Sequence, residues 1–339
     1  MKYFLLLIAS LSLAIYGGTK KVLILGDTQY LAEERKDPEK LNPLSEEARQ
    51  RLIEKIKNID EIFPNSKKSI EGVIILGDLI DSADKNGKMY ESMQKFEWDK
   101  FLEDFSVDGK NSNIPYPSYE LNGNHDGPQS EGFIIDDIKK RNKKRVNLKS
   151  ISKNGIQYSW EVNGVLFINL GMFAGREEKR KEKHHYAAKS SLDFLELELK
   201  RHASKGQPVI VSHHLHLQAG DYDWPDEDLK EYFSILKEYN VIAILHGHTH
   251  GSPSRFYYWN GDKIYNKSSK ESKRQLLVID ADDCCAAKLY NGKAVGLFHS
   301  MVICEIKEKS IIFEAAYSKD NWKTLKPGFR IEVPKDQRY

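Results

Sequence analysis

The chain reads as an α/β protein, and three observations predict it: short, wholly apolar runs rich in β-branched residues, amphipathic stretches between them, and polar clusters placed where the runs stop. The runs are Val22-Leu23-Ile24-Leu25, Val73-Ile74-Ile75-Leu76, Pro208-Val209-Ile210-Val211 and Val241-Ile242-Ala243-Ile244-Leu245. Each lacks the polar alternation of a half-exposed strand, so each fits a strand covered on both faces, although periodicity alone also allows a buried helical turn. Tyr119-Glu120-Leu121 is a weaker instance.

The first connection predicts a helix capped by Ser45, with Glu46 and Glu47 in its first turn. Leu52, Ile56, Ile59 and Phe63 then recur at helical spacing until Pro64-Asn65. A second helix fits residues 191–202, with Leu192, Leu195 and Leu199 on one stripe and a Glu196 to Lys200 pair. Beyond Gly251 the pattern changes to antiparallel strands at Leu276-Leu277-Val278-Ile279, from Val295 onward and at Ile311-Ile312-Phe313-Glu314-Ala315, with an edge strand at Phe329-Arg330-Ile331. A chain of 339 residues can bury one large α/β core without dividing.

The polar clusters are Asp27-Thr28-Gln29, Gly77-Asp78-Leu79-Ile80-Asp81, Gly123-Asn124-His125-Asp126, and His213 with Gly247-His248-Thr249-His250. In open α/β sheets, ligand-binding groups gather at the carboxyl ends of strands, which is where these residues fall. About fifty residues separate Asp27 from Asp78, and nearly as many separate Asp78 from Asn124, room for a strand, a helix and its loops. Carboxylates, a carboxamide and imidazoles, without cysteine, suit two Mn, Fe, Zn or Co ions, divalent or of mixed valence, that activate water.

In order and spacing these blocks resemble the calcineurin-like metallophosphoesterases, over roughly residues 20–255. The family pattern is D-x-H, G-D-x-x-D, G-N-H-D or G-N-H-E, a lone histidine and G-H-x-H. The resemblance implies a four-layer α/β/β/α sandwich, two mixed β-sheets flanked by helices, in one domain over residues 18–339 whose strands at 255–339 complete the second sheet. It implies that Asp27, Gln29, Asp78 and His250 hold one ion and that Asp78, Asn124, His213 and His248 hold the other, with Asp78 bridging. A hydroxide formed on the ion pair would attack a phosphate ester. His125, oriented by Asp126, would assist the leaving group, with Asp81 orienting a ligand or His125. Gln29 stands where the family most often has histidine; its oxygen still coordinates, more weakly.

The resemblance leaves the substrate open. Phosphomonoesters are slightly favoured; the alternatives are a phosphodiesterase or nuclease on the same centre, or a metal-binding or ligand-binding protein that has lost catalysis. A net charge of +2 gives no general attraction to nucleic acid. The run from Arg176 to Tyr186 reads as a solvated loop, or as a lid whose Arg176, Arg180 or His185 contacts phosphate. His214 and His216 face either substrate or solvent, and His246 is structural. Tyr222 and Trp224 serve either to stack on substrate or to pack.

Residues 1–17 read as a secretory signal peptide: Lys2, an apolar run from Phe4 to Tyr16, and small residues at Ala14, Gly17 and Gly18 as alternative cleavage points. The predicted location is the periplasm or outside the cell. The apolar run is shorter than the roughly 18 to 20 apolar residues of a membrane span, and no later stretch reaches that length. Export permits a disulfide between Cys304 and one of Cys284 or Cys285; free buried thiols are the alternative.

Overall fold

The computed structural model describes residues 18–336 except 35, 37, 84–90, 128–130, 178–185, 218–223, 251–253, 266–274, 282, 285–288, 291–292 and 295–298. Residues 1–17, expected to form a signal peptide, therefore lie outside the described residues. Strand β1 (Lys20–Leu25) leads into helix α1 (Pro43–Lys57), β2 (Ile70–Ile75), α2 (Glu91–Asp104), β3 (Ser118–Glu120) and α3 (Phe133–Lys144). Then follow β4 (Leu148–Ile151), β5 (Tyr158–Val162), β6 (Val165–Asn169), α4 (Ser191–Glu198), β7 (Val209–Ser212), α5 (Asp226–Leu236) and β8 (Val241–His246). The remaining strands are β9 (Arg255–Trp259), β10 (Ile264–Tyr265), β11 (Leu276–Asp280), β12 (Leu289–Tyr290), β13 (Lys293–Ala294), β14 (His299–Ile306), β15 (Ser310–Ser318) and β16 (Lys326–Pro334).

Two mixed sheets carry the fold. One has the order β16-β15-β14-β1-β2-β3 and the other β10-β9-β11-β8-β7-β6-β5-β4. Strand alternation explains why the apolar runs are continuous. Val22, Ile24, Ile74 and Leu76 enter the core between the sheets, whereas Leu23, Leu25, Val73 and Ile75 meet Leu52, Ile56, Trp98, Phe101 and Ile138 of the helices outside. On the far side, Leu166, Val209, Val211 and Ile244 pack against Leu192 and Leu195 of α4 and Leu229 and Tyr232 of α5. The layers are thus helix, sheet, sheet, helix.

Some boundaries differ from expectation. Asn42, not Ser45, caps α1, its side chain accepting from Leu44 N at 3.1 Å, with Pro43 starting the helix. Ser45 is drawn away because its Oγ accepts from Leu31 N at 3.2 Å, tying the loop after β1 to the helix. The helix expected over 191–202 ends as an α-helix at Glu198 and continues as a π turn from Leu199 to Ala203. The C-terminal region does not complete one sheet alone. Strands β9 to β11 extend the eight-stranded sheet, while β14 pairs antiparallel with β1 and begins an extension of the other. Among the described residues no disulfide joins Cys284 to Cys304: the two are buried in different layers, and Cys285 lies outside the described residues.

Candidate metal centre

Five strand ends deliver polar groups to one point between the sheets. Asp27 follows β1, Asp78 follows β2, Asn124 follows β3, His214 follows β7 and His248 follows β8. The turns that deliver them are strained. Gln29, Asp78, His248 and His250 hold φ angles of 34°, 47°, 76° and 41°, a region that side chains larger than glycine enter at a cost of about 1–3 kcal/mol each. Such strain persists only where surrounding contacts fix it, and those contacts are identifiable. His248 N donates to Asp27 Oδ2 at 3.0 Å, His125 N donates to Asp78 Oδ1 at 2.8 Å, and Gln29 N donates to Asp78 O at 2.8 Å.

The donors fall into two sets sharing one residue. Asp78, His214 and His248 offer atoms within 4.8 Å of one another, and so do Asp27, Asp78 and His250. Asn124 Oδ1 lies 2.9 Å from His214 Nε2, which is 3.3 Å from Asp78 Oδ1, so both belong with the first set. The Gln29 carboxamide reaches Asp78 Oδ2 at 3.5 Å beside the second, and a half-turn of the amide presents its oxygen there.

The environment fits cations. Asp27 and Asp78 are fully buried, a costly place for two carboxylates unless positive charge offsets them. Burial opposes the charge on Asp78, yet the imidazoles of His214 and His125 beside it hold its carboxyl well below the usual range. Burial also drives His248 down to about 2, which keeps its ring neutral and a nitrogen lone pair available. Oxygen and nitrogen donors without thiolate match divalent transition metals.

One expected ligand is displaced by one position. His213 does not reach the carboxylates; His214 does. His213 continues the side-chain parity of Val209 and Val211, which face the helices, and its ring meets Trp224 and Tyr232 edge-on at 5.1 and 5.6 Å. Its Nδ1 is 2.7 Å from Leu215 O, its Nε2 has no partner among the described residues, and burial holds it far below its ordinary pKa. His214 continues the parity of Ile210, which faces between the sheets. Its Nδ1 donates to Leu76 O at 2.7 Å, which turns Nε2 toward Asp78.

Two orienting roles are also redistributed. Asp126 does not hold the His125 ring; its carboxylate accepts from Gly123 N at 2.7 Å, Leu79 N at 2.8 Å and Ile80 N at 3.2 Å, binding two of the turns together. The ring is held by Asp81, whose carbonyl is 2.7 Å and carboxylate 3.4 Å from Nδ1. Arg176 does not approach the centre. It is engaged by Glu231 at 2.6 Å, Glu196 at 2.9 Å and Asp193, all on α4 and α5. His185, Arg180 and Tyr222 lie outside the described residues. Trp224 is 1% exposed and packs on Phe173 and Tyr232, so it is a core residue. His246 is buried, joined to Tyr257 Oη and to Gly247 O.

Sequence reasoning missed Asp283, which accepts from His250 Nδ1. It also missed Tyr186, whose hydroxyl donates to Asn124 O at 3.2 Å. Neither falls in a motif block.

Fold and candidate centre together have the form of the metallophosphoesterase class: paired sheets between helices, with carboxylates and imidazoles converging from the strand ends. The family match says the same over most of the chain. Residues 20–252 match the calcineurin-like phosphoesterase family model, and the chain belongs to that family. No curated protein matches it. Among solved structures it is similar to a single mutant of Vps29 from Entamoeba histolytica, at 11% identity and a TM-score of 0.38, covering 92% of this chain and 99% of that one. It is also similar to Vacuolar Protein Sorting 29 from Cryptosporidium parvum, at 11% identity and a TM-score of 0.37, over 94% of this chain and 100% of that one. Vps29 from Chaetomium thermophilum is a third such structure, at 10% identity and a TM-score of 0.32, over 94% and 99%.

Proposed function

We propose that the protein is an exported phosphoester hydrolase that works with two divalent cations, and that it acts on phosphomonoesters. The observation that carries this reading is the position of Asp78 in both donor sets. Two cations about 3.5–4 Å apart repel, and a shared carboxylate offsets the repulsion. Asp27, Gln29, Asp78 and His250 would hold one cation, and Asp78, Asn124, His214 and His248 the other. Bound there, such a pair lowers the pKa of water and neutralises charge growing on a phosphoryl group.

The protein's own part is to fix geometry and manage one proton. His125 is partly exposed, with its backbone N–H locked on Asp78 and Nδ1 held by Asp81. That leaves Nε2 to give a proton to the departing oxygen. Asp126, by joining the turns after β2 and β3, keeps His125 in register with Asp78. Export rests on the apolar segment before Gly17.

Metal analysis combined with a chromogenic phosphate ester tests the reading. The expected result is two ions per chain and turnover that falls at least about 100-fold in His125→Ala while both ions remain. Two bound ions without turnover on any mono- or diester would instead show a binding protein, and faster cleavage of a diester would reverse the substrate order. Mass spectrometry of the N-terminus from exported protein tests processing; an intact Met1 in an internal fraction refutes it.

A further inference from the structure

His250 is strung between two carboxylates. Its Nε2 lies 3.4 Å from Asp27 Oδ2 on the side of the centre, and its Nδ1 is hydrogen-bonded to Asp283 Oδ1 on the other. Asp27 and Asp283 are both fully buried. A histidine that donates one ring N–H to a carboxylate presents the other nitrogen as a lone pair in a fixed plane, the arrangement that orients imidazole ligands on metals. Asp283 lies beyond residue 252, where the family match ends.

Asp283 is itself fixed by the backbone around it. Its carbonyl accepts from Ser300 N at 2.7 Å, which anchors it to β14. The next residue, Cys284, donates from its N–H to Asp27 O at 3.1 Å and places its thiol 3.7 Å from Gly26 O. Trp322 Nε1 donates to Cys284 O at 2.7 Å, and this indole is fully buried. Asp283 and Cys284 therefore grip two ligands of the same donor set, His250 through its ring and Asp27 through its backbone. The other set is oriented differently, for His214 takes its orientation from Leu76 O within the family core. Among the described residues Asp283 Oδ2 is buried without a hydrogen-bond partner, and the other oxygen is the one that meets His250.

We propose that Asp283 is a positioning residue for the cation site made by Asp27, Asp78 and His250, and that the C-terminal segment sets the affinity of that site separately from its neighbour. The proposal rests on the two-cation reading above. If His250 were only an imidazolium bridging two acids, Asp283 would matter for folding and not for one cation in particular.

The test is calorimetric titration of chelator-treated protein with Mn²⁺, alongside thermal unfolding of the same metal-free samples. Wild type should take up two ions. Asp283→Ala should keep one at wild-type affinity and weaken the other about 10- to 100-fold, the usual effect of losing an outer carboxylate behind a histidine ligand. Asp283→Asn keeps the volume and an oxygen for Nδ1–H, so it should fold and show a loss near the lower end of that range. His248→Ala should weaken the opposite site. Unchanged affinities in folded Asp283→Asn, or equal losses at both sites, overturn the proposal and leave the two-cation reading intact. Wild type that binds no cation overturns both.

Discussion

Exchanging the roles of two adjacent histidines gives a sharp test. In His214→Ala, the carbonyl of Leu76 loses its buried donor at 2.7 Å. At about 1–3 kcal/mol per unsatisfied buried group, that is a sizeable part of a typical total of roughly 5–15 kcal/mol. One cation site loses its imidazole as well. His213→Phe is a different case: the lost bond to Leu215 O is worth about 1 kcal/mol, but an unpartnered Nε2 leaves an aromatic pocket formed by Trp224 and Tyr232, and the two effects nearly cancel. Elemental analysis and denaturant unfolding of both variants should show one ion lost and a marked drop in stability for His214→Ala, against two ions and a change within about 1 kcal/mol for His213→Phe. Loss of an ion in His213→Phe, with both kept in His214→Ala, would refute the assignment.

A methyl group at position 123 should empty the centre. A Cβ there would lie 2.1 Å from Asp78 Oδ1 and 2.3 Å from Asp78 N, and the backbone atom cannot step aside. Gly123→Ala should therefore lose both ions, since Asp78 serves both, and about 1–3 kcal/mol of stability, measured by elemental analysis and urea unfolding. At the end of β3, Glu120 is fully buried between Arg141 and Arg145, each 2.6 Å away. Burial raises its pKa, but the two guanidiniums prevail and hold it at about 2 against an ordinary 4.5, a difference worth about 3 kcal/mol. Because the folded value is the lower one, this stability is complete above pH 4.5 and is lost as the pH falls toward 2. Glu120→Gln should flatten that acid limb in pH-dependent unfolding while costing about 3–5 kcal/mol at neutral pH through two unpaired buried cations.

The layers of the fold were legible because a strand covered on both faces has no polar position to interrupt it, as in Val22 to Leu25. The meeting of Asp27, Asp78, His248 and His250 was legible because each follows such a run, while Asn124 follows the weaker run Tyr119-Glu120-Leu121. The choice between His213 and His214 was not: they are neighbours with opposite parity, and parity is readable only when one face of a strand is polar. Ser45 was a sound cap by type, and the tertiary bond to Leu31 N took it out of that role. Asp283 gave no signal because its meaning depends on a contact with His250 made across two strands.

The placement of β11 against β8 and of β14 against β1 has a practical consequence. A shortened protein ending at residue 252, where the family match stops, would bare the long flanks of β1 and β8 at once. Both are apolar, untempered by lysine or proline along their centres, and would template pairing with other chains. Expression of such a fragment should give aggregates, so the two sheets can be studied only with their late strands in place.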